Sequence, residues 1–287
     1  MDESARGWVN GFVGVVIFAG SLPATRAAVA DFDPLFLTAT RASLAALLGA
    51  LLLAGLRARR PDRADLPALA LVAFGVVLGF PLLTALALQQ VPSAHAIVFL
   101  GLLPLCTAVF GVLRGGERPR PAFWLLALLG SVFVVTYAVR GGIDVSPRSD
   151  SLMLAAIVVC GLGYAEGARL TRKLGGWQVI SWALLLSAPV MLPLALWTMP
   201  ASFTHVHAPA WLGLAYVSIF SMLLGFVFWY RGLAQGGIAA VGQLQLLQPF
   251  LGLALAAWLL HEPVTWTMLL STLGAVVCVS GAKRFAG

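Results

Sequence analysis

Apolar runs, each about long enough to cross a bilayer, follow one another along this chain and constrain its fold more than any motif does. The first extends from Gly7 to Thr25. A helix needs about 20 apolar residues to cross the hydrocarbon. Breaking the sequence at charges, prolines and glycines gives ten such runs, at about 7–29, 35–56, 66–88, 92–113, 121–139, 151–170, 177–198, 210–233, 238–260 and 265–283. Lipid offers the backbone no hydrogen-bond partners, so runs of this length read as helices. The loops between them are short, which leaves no room for an extramembrane domain. Composition agrees: 60% of the residues are hydrophobic and 10% charged, with a mean hydropathy of +0.95. A soluble domain carries roughly 25% charged residues. The expected fold class is therefore an all-α integral membrane protein with ten transmembrane helices. The run after Arg6 exceeds the apolar core of a signal peptide, about 7–15 residues, and is read as a retained first helix.

A net charge of +7 can mean nucleic acid, but here the basic residues fall in short clusters between apolar runs, so no nucleic-acid partner is expected. With the N-terminus inside, 14 of the 18 basic residues are cytoplasmic, including Arg57, Arg59, Arg60 and Arg63 in one loop and Arg169, Arg172 and Lys173 in another. The positive-inside rule then places both termini in the cytoplasm. Cys106, Cys160 and Cys278 lie inside apolar runs with neither metal-ligand nor disulfide spacing and read as small packing residues.

The two halves share a spacing. Pro104 and Glu117 in the stretch LPLCTAVFGVLRGGER are matched 145 residues later by Pro249 and Glu262 in QPFLGLALAAWLLHEP, and Arg26 is matched by Arg169 at 143. Five spans is an odd number, so a second half, 147–287, must enter the membrane inverted relative to the first, 1–146. Inverted repeats mark secondary transporters, whose substrate site lies near the midplane between the halves.

At these residues the chain resembles the EamA-type transporters of the drug/metabolite transporter superfamily, whose repeats pair a mid-helix proline with a later glutamate and a glycine-bearing fifth helix. Here Gly130 and Gly274 supply that glycine, and TATRASLAALL at 38–48 is similar to the Arg-containing second helix. The second half departs from this pattern, with Leu184 near the equivalent place. Length and organisation look like the bacterial aromatic amino-acid exporters of this family. The resemblance implies a protein of the bacterial inner membrane, working without a cofactor and as a monomer in lipid. It also implies a small-molecule substrate, amino acids, passing through a cavity lined by helices 1, 3, 4, 6, 8 and 9.

Polar groups inside a bilayer are expensive and mark candidate sites. Gln245 and Gln248 share one helical face, beside Pro249. They read either as cavity lining or as interhelical hydrogen-bonding groups, while Gln243 points elsewhere. His95, with Phe99 on its face, either meets a substrate or reaches interfacial water. Tyr164, Trp229 and Tyr230 are candidate walls of an apolar cavity, among aromatics that also include Phe18, Phe80 and Phe226. Pro104 and Pro249 are candidate hinges, each expected near the middle of its helix. Arg41 lies about 10 Å inside the second span, at 1.5 Å per residue. It is expected to snorkel outward to Asp31 or Asp33, with capture of a substrate carboxylate as the alternative. Glu166 is expected to pair with Arg169 one turn on. His205 and His207, without a neighbouring carboxylate in the sequence, are not expected to bind metal.

An enzyme is not expected: there is no HExxH, no GxSxG and no pair of intramembrane acids. Efflux of organic cations is the competing transport reading, but it calls for an acid in the cavity, and only Glu166 lies even partly within the membrane. A channel or purely structural role is the other class.

Overall fold

The structure, a computed structural model, describes residues 2–91, 96, 99–140, 146–248, 250–252, 254–255 and 266–286. His95, Pro249 and Glu262 lie outside these. The described residues are helical and contain no strand. In chain order, α1 covers Glu3–Ala28, α2 Pro34–Gly55, α3 Arg63–Leu88, α4 Leu103–Gly115, α5 Pro121–Arg140, α6 Pro147–Leu174, α7 Gly176–Trp197 and α8 Ala208–Gly236. Next come α9, Ile238–Gly242 with a 3-10 turn over Gln243–Leu247, and α10, Trp266–Lys283. Six of these (α1, α2, α3, α6, α7 and α8) are long and apolar enough to span a membrane, and α4 and α5 contain shorter apolar helices. For α1, α2, α3, α5, α6, α7, α8 and α10 the boundaries fall within a few residues of those expected, whereas α4 begins only at Leu103, after the turn at Gly101 and Leu102, and the far end of the ninth run lies outside the described residues.

Local chemistry sets the ends. Asp2 Oδ1 accepts the N–H of Ala5 at 2.6 Å and starts α1. Asp33 Oδ1 accepts from Leu35 and Phe36, with Pro34 in the first turn of α2, where its missing N–H costs nothing. Gly175 and Gly237, at φ 90° and 91°, each join two helices through a single residue. That backbone region strains any residue with a Cβ.

Each helix of the first five packs on one of the last five: α1 on α8, α2 on α7, α3 on α6, α4 on α9 and α5 on α10. Small residues permit a close crossing, where a Cβ on Gly232 of α8 would lie 2.5 Å from the backbone nitrogen of Gly11 in α1. In lipid such close backbone approach replaces the hydrophobic effect as the source of helix association. Large apolar side chains such as Leu51, Val190, Leu196 and Leu270 are exposed on the outside, as a hydrocarbon surround allows. Both α3 and α8 contain a π-helical stretch, and these begin 144 residues apart, at Ala73 and Val217.

The termini share one end of the bundle: Lys283 Nζ stands 4.5 Å from the centre of the Trp8 ring, and Arg120 N–H donates to Phe285 O. This terminal end also gathers the charges. Lys173 reaches Asp62 and Asp65, both at 2.7 Å. Glu166, fully buried, pairs with Arg169 at 3.1 Å as expected, and also with Arg114 of α4.

Candidate functional site

A cavity opens where α1, α2, α3, α4, α6 and α8 meet, closed by Gln248 beyond the turn that follows α9. The geometry starts from broken helices. Helix α1 is interrupted at Gly20, and Phe18, Ser21, Leu22 and Thr25 on either side of the break line the cavity. The π stretches contribute Val76 and Ser221, and Phe80, Pro81 and Thr84 follow the first of them. A π stretch interrupts the regular i to i−4 ladder and is frequent at functional positions. Leu103, Tyr164, Phe226 and Gln248 complete the wall, and α2 adds Arg41. The space measures about 20 Å³, room for about one water molecule. An organic molecule would fit only if the space widened.

One wall is aromatic. Phe18 stacks on Tyr164 at 6.4 Å between ring centres and meets Phe226 edge-on at 5.0 Å. Other lining groups are polar: Ser21 Oγ lies 2.8 Å from Ser221 Oγ, and Arg41 Nη2 approaches the same Ser221 oxygen at 3.4 Å. Arg41 is 5% exposed, and among the described residues its Nε has no hydrogen-bond partner. Among the described residues it has no acidic partner either. The expectation that it snorkels to Asp31 or Asp33 is overturned. Asp33 caps its own helix, and Asp31 Oδ2 accepts the backbone N–H of His207 at 2.8 Å and lies 3.0 Å from its Nδ1. With both acids engaged, the guanidinium turns inward. An arginine at this depth costs about 2.5–3.5 kcal/mol on an insertion scale.

Of the residues read from the sequence as the substrate site, the fold brings Tyr164 and Gln248 to the cavity, with the aromatics Phe18, Phe80 and Phe226 noted beside them, and Gln248 Nε2 donates to Phe18 O at 3.2 Å. Gln245 lies buried beside Tyr164. Gln243 is also buried, and among the described residues its amide has no hydrogen-bond partner. Trp229 and Tyr230 are fully buried behind the wall. Trp229 stands 5.4 Å from the Tyr164 ring, and Tyr230 Oη donates to Gly163 O. Phe99 is half-buried against the core and does not line the space. Pro104 occupies the first turn of α4, after the turn at Gly101 and Leu102, not the middle of a continuous helix. His95 and Pro249 lie outside the described residues. His207 does have a carboxylate neighbour, Asp31, which the sequence reading missed. Among the described residues no cluster of three or more His, Cys, Asp or Glu side chains forms a metal site.

Sequence reasoning passed over Ser21, Thr25, Thr84 and Ser221. Hydroxyls are common in membrane helices, and the π stretch that aims Ser221 inward leaves no trace in a uniformly apolar sequence.

The model of the EamA-like transporter family matches the chain twice, over residues 5–138 and 148–282. "Uncharacterized transporter YdeK" of Bacillus subtilis (strain 168) is 64% identical over the whole of both chains. "Probable terminal-alkyne amino-acid exporter" of Streptantibioticus cattleyicolor is 25% identical, covering 91% of this chain and 88% of that one. A protein of known crystal structure, 20% identical, matches 98% of both chains with a TM-score of 0.79, a likeness of fold alone. The cavity between paired helices and the twofold match agree with one conclusion: this chain belongs to the EamA-like transporter family.

Proposed function

We propose that the protein exports neutral, chiefly aromatic, amino acids and related metabolites across the bacterial inner membrane by alternating access. In this reading it works as a monomer with ten spans in two inverted halves, 1–146 and 147–287, and both termini in the cytoplasm. The observation that carries the substrate reading is the lining of the cavity, which holds the aromatic rings of Phe18, Tyr164 and Phe226 together with Arg41, and no carboxylate among the described lining residues. An apolar body with a negative group suits such walls, whereas an organic cation meets Arg41 and no counter-charge. The amino-acid exporter among the relatives supports the same class. The two-half organisation rests on the twofold family match, the helix pairing and the two π stretches 144 residues apart.

Uptake of labelled phenylalanine and tryptophan into liposomes holding the purified protein tests the function, with and without a proton gradient. Saturable flux is the expected result. Absent amino-acid flux alongside transport of an organic cation overturns it. A cysteine introduced at Ala58, in the loop RARRPDRAD, tests the orientation: an impermeant reagent added outside sealed right-side-out vesicles should leave it unlabelled.

A further inference from the structure

We propose that Arg41 is the carboxylate anchor of this cavity and that the bound class is apolar monocarboxylates, in which an α-ammonium group is dispensable. The inference rests on the transport reading above and extends it from amino acids to their amine-free analogues.

A buried arginine with a structural task ordinarily has its five N–H donors taken up by carboxylates or carbonyls. Among the described residues Arg41 has one long bond, 3.4 Å, to Ser221 Oγ, and its buried Nε donates to none of them. Ser221 Oγ also interacts with Ser21 at 2.8 Å, so it serves two groups at once. The two acids within reach along the sequence, Asp31 and Asp33, are held by His207 and by the start of α2. The guanidinium therefore lines the cavity with a full charge and spare donors. A planar fork of N–H groups in a low-dielectric space matches a carboxylate bidentately.

The other end of an amino acid finds no equal partner. The remaining polar groups of the lining are neutral: Ser21, Thr25, Thr84, Ser221, Tyr164 and Gln248. These oxygens hydrogen-bond an ammonium group without compensating its charge. Charge recognition is thus one-sided. Binding a monoanion leaves the site neutral overall, and binding a zwitterion leaves one positive charge, the same as before binding.

The experiment measures ligand-induced thermal stabilisation of the purified protein in lipid nanodiscs. Four compounds share one phenyl body: phenylalanine, 3-phenylpropionate, phenylalaninamide and phenethylamine. The wild type should be stabilised by 3-phenylpropionate at concentrations no higher than about tenfold those needed for phenylalanine, and by neither amine lacking a carboxylate at a hundredfold excess. Loss of a buried charge partner weakens binding by about a hundredfold or more, so Arg41→Gln should abolish the response to both carboxylates. Arg41→Lys, which keeps the charge without the fork, should fall between. Equal stabilisation by phenylalaninamide and phenylalanine overturns the proposal, as does failure of every carboxylate to bind the wild type. The wild-type series decides the matter even if Arg41→Gln does not fold. Binding of 3-phenylpropionate without binding of phenylalanine supports the anchor while overturning the amino-acid reading, so the two failures are distinct.

Discussion

Glu117 Oε1 accepts the backbone N–H of Ile238 at 2.6 Å, joining positions 121 residues apart in sequence. Its other oxygen takes Ala239 N–H at 2.7 Å, so one carboxylate satisfies the first two donors of α9. A helix start leaves such donors without partners and favours negative charge. Arg172 stands behind the carboxylate at 3.9 Å. Hydrogen bonds to a charged group are worth roughly 1.5–3 kcal/mol each. Glu117→Ala should therefore lower the melting temperature in detergent markedly. Glu117→Gln, with one acceptor oxygen left, should lose about half as much. An unchanged melting temperature for both would show that the contact contributes nothing to the fold.

The arginines over Glu166 predict an asymmetry. The carboxylate is fully buried, while Arg114 and Arg169 are 43% and 45% exposed. Removing the acid frees two side chains that reach water. Removing both arginines strands a buried charge, a change that costs several kcal/mol when nothing compensates. The double substitution Arg114→Ala, Arg169→Ala should destabilise far more than Glu166→Gln, and each single arginine change should be mild because its neighbour remains. Thermal melting of the four variants in one detergent reads the order directly.

At the end opposite the termini, Asp31 joins the turn before α2 to the start of α8. The backbone N–H of His207, together with its ring, holds the Asp31 carboxyl below the ordinary carboxylate range. A carboxyl with a lowered folded-state pKa stabilises fully above its unfolded value of 3.8, and the effect is lost as pH falls through the lower folded value. The melting temperature of the wild type should drop between pH 5 and pH 3 more steeply than that of Asp31→Asn, which cannot titrate. Parallel curves would remove Asp31 from the acid response.

Hydropathy made the fold legible because a helix crossing lipid has to be apolar over its whole length, and that requirement survives without any tertiary information. It hides the faces for the same reason. In a helix apolar all round, nothing in the sequence separates Tyr164, which lines the cavity, from Tyr230, which is packed against Gly163. Gln248 stood out because an amide in lipid needs a partner. Arg41 was misplaced because its distance to Asp31 can be counted along the chain, whereas Ser221, 180 residues away, enters only through the packing of α2 against α8.

Pro104 bears on how the cavity widens. Its place in the first turn of α4, after the turn at Gly101 and Leu102, makes it a helix starter with no interior hydrogen bond to lose. Leu103 beside it lines the cavity, so swinging α4 about this turn would move the wall. By the 145-residue offset in the sequence, Pro249 is the residue that corresponds to Pro104. If the two act as hinges, Pro104→Ala allows the helix to run through the turn and stiffens one half only. Each alanine variant should slow transport severalfold with ligand affinity nearly unchanged. The two should also shift the labelling of a cavity cysteine at Ser21 by an external reagent in opposite directions. Normal transport by both variants, or a loss confined to affinity, would mean that the prolines shape the cavity without moving it.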